Sequence, residues 1–128
     1  MSILKQFEGF TIWSDNYKEL SNWYEEKFEL TRKFEIDVPE DKVVAFEIEP
    51  GNEMMLWIGF HSEVYGKSKE TYRIMISYYV EDVNKDYEIL KSRGVEFIAE
   101  PHISPDGTLN VMTAVDPEGN IIQLFSKI

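Results

Sequence analysis

A chain of 128 residues has the length of one ordinary domain, and its 43% hydrophobic and 14% aromatic content supplies enough apolar mass for a core, which excludes a disordered chain. Asp plus Glu number 24 against 13 Lys plus Arg, a formal net charge of −11, so a phosphate backbone is repelled, nucleic acid is excluded as a partner, and a cationic small molecule is attracted. Disulfides, thiolate nucleophiles and zinc–thiolate sites are excluded by the lack of cysteine, and no apolar run has the length of a signal peptide or a membrane span, which predicts a cytoplasmic protein without a membrane partner.

Residues 10–13 read as a short strand that stops at Ser14-Asp15, a pair suited to capping a helix. Tyr17, Leu20, Tyr24 and Phe28 then recur at helical spacing with Lys18, Glu19, Glu25 and Glu26 off that face, which predicts a helix whose apolar stripe covers a sheet. Strands follow over 32–37, 42–49 and 53–60, separated by the turn-forming Pro39-Glu40-Asp41 and Pro50-Gly51-Asn52. Residues 61–70 have no period and form a linker. The order then repeats. A strand over 72–80 runs into Glu81-Asp82, Val83, Tyr87 and Leu90 share one face of a second helix, and Arg93-Gly94 closes it. Strands over 95–99, 108–115 and 120–126 are divided by Pro105-Asp106-Gly107 and Asp116-Pro117-Glu118-Gly119. Strand, helix and three strands are thus stated twice, with Asp15 and Asp82 opening the helices at equivalent places. The expected class is α+β: two βαβββ modules, about 5–61 and 71–127, in a single domain over 1–128.

This module order, with Val80-Glu81-Asp82-Val83, Leu90-Lys91-Ser92-Arg93-Gly94-Val95 and above all Asp116-Pro117-Glu118-Gly119-Asn120-Ile121-Ile122-Gln123-Leu124-Phe125, resembles the vicinal-oxygen-chelate superfamily of glyoxalases, bleomycin-resistance proteins and dioxygenases. Asp15 and Trp23-Tyr24 stand in register for it in the first half. The resemblance implies a curved, mostly antiparallel sheet around a cleft with the helices outside. It also implies a homodimer, and in enzymes of the family a divalent metal held by His, Glu or Gln.

Counting back from Asp15 and Asp82 puts two of those ligand positions at Glu8 and Met75, and matching the last strands puts the others at Trp57 and Gln123. Thioether and indole do not hold an oxygen-seeking or borderline ion, so no metal and no cofactor is expected. The weaker alternative is a site of Glu8, His61 and Gln123; both histidines, His61 and His102, fall at strand ends or in loops. No Gly-x-Ser-x-Gly run, phosphate loop or paired-histidine motif offers other chemistry, and no catalytic residue is assigned.

Period-two alternation puts Glu8, Phe10 and Ile12 on one face of the first strand, Met55, Trp57 and Gly59 on that of the fourth, Met75, Ser77 and Tyr79 on a third, and Ile121, Gln123 and Phe125 on the last. Ile12, Met55 and Ile121 are expected to pack as core. Glu8, Phe10, Trp57, Met75, Ser77, Tyr79, Gln123 and Phe125 are the candidate ligand-binding set, with Glu8 an anchor for a cationic group and Trp57 and Tyr79 bringing an apolar face with a polar edge. The preferred function is metal-independent binding of an aromatic or cationic small molecule, similar in kind to bleomycin resistance. The rivals are a metal-dependent glyoxalase-like lyase, isomerase or dioxygenase, and an interaction module whose cleft is filled by its own side chains.

Overall fold

The computed structural model describes residues 2–128, and the chain divides into two compact units at the Gly66 to Lys67 junction. The first unit runs β1 (Gly9–Ser14), α1 (Tyr17–Phe28), β2 (Thr31–Val38), β3 (Asp41–Glu47), β4 (Met55–Phe60); the second runs β5 (Met75–Tyr79), α2 (Val83–Ser92), β6 (Glu96–Ile103), β7 (Leu109–Val115), β8 (Ile121–Lys127). Each unit is therefore a βαβββ module, and the fold is α+β. Strand order is β1-β4-β3-β2 in one sheet and β5-β8-β7-β6 in the other. In both, the first strand pairs parallel to the last and the remaining pairs are antiparallel, as a helical crossover followed by two hairpins requires.

In the first module α1 lies on β1 and β4. Tyr17, Leu20 and Tyr24 of its stripe are buried, and Phe28 is half-buried against the rings of Trp23 and Tyr24. The sheet residues beneath are Ile12, Ser14, Val44, Phe46, Leu56 and Ile58, all buried. Arg32 ties β2 to the helix by donating from Nε to the Glu25 carboxylate at 2.6 Å and from its guanidinium to Asn22 at 2.7 Å. The helix opens one residue later than the sequence suggests: Asn16 is the cap, Ser14 Oγ accepts from the Asn16 amide, and Asp15 accepts from the Gly66 amide.

In the second module α2 lies on β6, β7 and β8, with Val83, Tyr87 and Leu90 buried. Here the expected cap is the observed one, Asp82 accepting from the Lys85 amide, and the buried Ser126 hydroxyl accepts from the Val83 amide. Gly94, with φ 85, turns the chain out of the helix as the Arg93-Gly94 pair predicts. β6 runs four residues beyond its expected end at Ala99, through Pro101. It is an edge strand whose register shifts between Ala99 and His102, and an edge or a bulge is where a residue without an N–H is tolerated.

Among the described residues no helix is long and apolar enough to cross a membrane.

Candidate functional site

Residues directly opposed in a sheet share a face, so the registers define which side chains stand on the face away from each helix, here called the far face. In the first module these form rows across the strands. One row is Thr11, Trp57, Ala45 and Phe34; the next is Trp13, Gly59, Val43 and Ile36. Phe34 and Trp57 stand on either side of Ala45, their rings parallel within 4° and their centroids 6.1 Å apart. Ala45 between them is fully buried, whereas Phe34 is 52% exposed. Trp13 lies over Gly59, where a Cβ would come within 2.9 Å of the indole, and the His61 ring meets Trp13 edge-on at 5.5 Å. Small residues in the middle of each row, Ala45 and Gly59, leave room for the large rings beside them.

The far face of the second module carries Met75, Ser77 and Tyr79 on β5, Ile121, Gln123 and Phe125 on β8, and Val115, Thr113 and Val111 on β7. Tyr79 and Phe125 are neighbouring rings, 6.2 Å apart and tilted by 49°. Tyr78, one residue along, points the other way: burial, with Asp116 nearby, pushes its phenol well above its ordinary range and keeps it neutral.

The candidate set therefore separates. Met75, Ser77, Tyr79, Gln123 and Phe125 come together on one far face, and Trp57 stands on the other. Glu8 and Phe10 do not join them. Phe10 is opposite Leu56, on the helix-side row with Ile12, so the alternation assumed for β1 is corrected by one residue. Glu8 precedes β1, is exposed, and its carbonyl accepts from the Met55 amide at 3.4 Å. With Phe7, Glu49 and Glu53 it lines a shallow acidic hollow of about 590 Å³. The slip follows from the cap: counted from Asn16, the residue placed as Met75 is placed before Asp82 is Gly9, and Gly9 pairs with the first residue of β4 as Met75 does with the first of β8. By the same registers Trp57 and Gln123 are equivalent. Phe34, Trp13 and Thr113 were not singled out from sequence, although the alternation of Phe34, Ile36 and Val38 was a signal for the first.

Carried through these registers, the ligand positions that the resemblance implies fall at Gly9 and Trp57 in the first module and at Met75 and Gln123 in the second, and Gln123 alone carries an oxygen donor. His61, offered as an alternative ligand, accepts from the Glu63 amide at Nδ1 and meets Trp13 edge-on. Among the described residues no three His, Asp or Glu side chains converge in an arrangement that could hold a metal. Neither module's pair of residues fits a divalent ion.

A family model described as the Glyoxalase/Bleomycin resistance protein/Dioxygenase superfamily matches residues 6–124. Among solved structures, the chain is similar to a superfamily member from Sphaerobacter thermophilus DSM 20745 at TM-score 0.75 and 21% identity, covering 97% of this chain and 98% of that one. It is similar to TnmS3, an antibiotic binding protein from Streptomyces sp. CB03234, at TM-score 0.76 and 15% identity over 100% of each chain. A glyoxalase I mutant from Zea mays aligns at TM-score 0.80 and 21% identity, over 94% of this chain and 44% of that one. Comparison with curated protein sequences gives no match.

Proposed function

As the chain belongs to the Glyoxalase/Bleomycin resistance protein/Dioxygenase superfamily, and an antibiotic binding protein and a glyoxalase I share its fold, we propose that it binds a small planar aromatic compound without transforming it. The observation that carries this reading is the parallel Trp57 and Phe34 pair on the far face of the first module. Two large rings, one of them half exposed and both beside a small residue, offer a flat apolar surface of the kind that aromatic ligands stack on. The indole occupies a position at which an enzyme of this family would carry a metal ligand, and it cannot act as one. A ligand with a cationic group is favoured by the net charge of −11 and by the carboxylates of Glu8, Glu49 and Glu53. Tyr79, Phe125, Met75, Ser77 and Gln123 belong to the same reading through the second module, and we propose a homodimer as the working assembly.

Titration with proflavine, a planar aromatic cation, followed by tryptophan fluorescence tests the proposal. Trp57→Ala is expected to weaken binding by about 1–3 kcal/mol, the range for a desolvated aromatic contact. Unchanged affinity in that variant would remove the aromatic pair from the site. Stoichiometric zinc, nickel or manganese in the purified protein, with turnover dependent on it, would replace binding by glyoxalase-like catalysis.

A further inference from the structure

The two far faces differ in chemistry at equivalent places. Where the first module has Thr11, Trp57, Ala45 and Phe34 in line, the second has Ser77, Gln123, Thr113 and Ala99. Ser77 is directly opposite Gln123, and Gln123 is directly opposite Thr113. Opposed side chains on one face stand about 5 Å apart, so hydroxyl, carboxamide and hydroxyl form a strip about 10 Å long across three strands. Ser77 is exposed and the other two are half-buried. Among the described residues none of the three side chains hydrogen-bonds to another protein group, and no buried side-chain polar atom lacks a partner, so the polar ends of the strip are open to solvent. Apolar rows flank it on both sides: Tyr79, Phe125 and Val111 along one, Met75, Ile121 and Val115 along the other.

We infer that this strip is a recognition site for a neutral planar compound carrying a carboxamide-type edge. The carboxamide of Gln123 has a donor and an acceptor side by side, and each hydroxyl is both donor and acceptor, so the complement is a group that also presents both. An amide does so; a carboxylate presents acceptors alone. No cation stands in the strip, and the net charge of −11 further disfavours an anion. The apolar rows contact the flat body of the ligand and lower the local dielectric, which strengthens the hydrogen bonds made between them. The inference rests on the proposed function, which counts Ser77 and Gln123 among its binding residues, and names the ligand chemistry of the second sheet; the strip variants and the aromatic pair of the first sheet test the two separately.

The test is an NMR titration of the full-length ¹⁵N-labelled chain with benzamide, benzoate and ethylbenzene in parallel. Benzamide is expected to move the Gln123 side-chain amide signal, identified by its loss in Gln123→Leu, together with backbone signals of β5, β7 and β8. Its affinity should fall about five-fold or more in Thr113→Val and in Gln123→Leu. Ser77→Ala, at an exposed site, should also weaken it and serves as the variant least able to disturb folding. Benzoate and ethylbenzene should each bind at least about five-fold more weakly than benzamide. Equal binding of ethylbenzene or benzoate, benzamide affinity indifferent to all three strip variants, or no perturbation of the Gln123 signal at all would overturn the inference. Benzamide binding lost in Trp57→Ala alone would also overturn it while supporting the aromatic site of the first module.

Discussion

At Gly9, where the resemblance would put a metal ligand in β1, the close approach of β4 explains the lack of a side chain. A Cβ there would stand 2.3 Å from the Met55 carbonyl oxygen and 3.0 Å from the Met55 nitrogen, and backbone cannot move aside as a flexible side chain can. The φ of 153 adds to the constraint. β1 therefore approaches β4 too closely for any ligand-bearing residue at that point, and a metal site cannot be rebuilt by one substitution. Gly9→His is expected to destabilise the chain by about 1–3 kcal/mol, as overpacking does, and to leave zinc affinity unchanged. Chemical denaturation and calorimetric zinc titration check the two halves; a stable variant that binds zinc would show that β1 has room after all. Gly59 has a different reason to be glycine, since its missing side chain is the bed on which the Trp13 indole lies.

The helix caps divide the two modules in stability. Asp82 accepts a hydrogen bond from the Lys85 amide, whereas the Asn16 side chain caps no backbone amide of its helix and instead donates to the Glu19 carboxylate. Asp82→Ala should cost about 1 kcal/mol and Asn16→Ala clearly less, measured by urea unfolding; equal losses would mean that the Asp82 bond contributes nothing beyond the helix dipole. The β2–β3 hairpin carries a pH dependence of its own. A hydrogen bond from Lys42 at 2.9 Å, aided by Lys18 at 3.3 Å, holds the Asp37 carboxyl below its ordinary value. A lowered folded-state pKa stabilises above the unfolded-state value, and that contribution is lost as pH falls through the folded-state value. The stability difference between the native chain and Asp37→Asn should thus be present at neutral pH and close in acid; a difference that persists at low pH would exclude the ion pairs as its source. These elements also mark what could be read from residues alone. Both helix stripes and the Asp82 cap were readable, because periodicity and turn chemistry are local. The Asn16 cap was not, because Ser14, the last residue of β1, accepts from the Asn16 amide and delays the helix by a residue; the run of β6 through Pro101 and the partnership of Phe34 with Trp57 were not, because an edge position and a cross-strand register are set by tertiary pairing.

Charge and exposed apolar area oppose one another in any self-association. β2 is an edge strand of eight residues whose far face presents Phe34, Ile36 and Val38, and an edge with unpaired backbone groups and an apolar row is a template for pairing with a second chain. Each copy carries a net charge of −11, so bringing two together costs Coulomb energy that apolar contact must exceed. Screening shortens the reach of that repulsion from about 30 Å at 0.01 M salt to about 8 Å at 0.15 M. A homodimer closed by apolar surface should consequently tighten as salt is raised over that range. Sedimentation equilibrium at both ionic strengths measures it. A 15.1 kDa species at every salt and concentration would refute the dimer, and a dimer that loosens with salt would place its stability in opposite charges across the interface instead of in the β2 face.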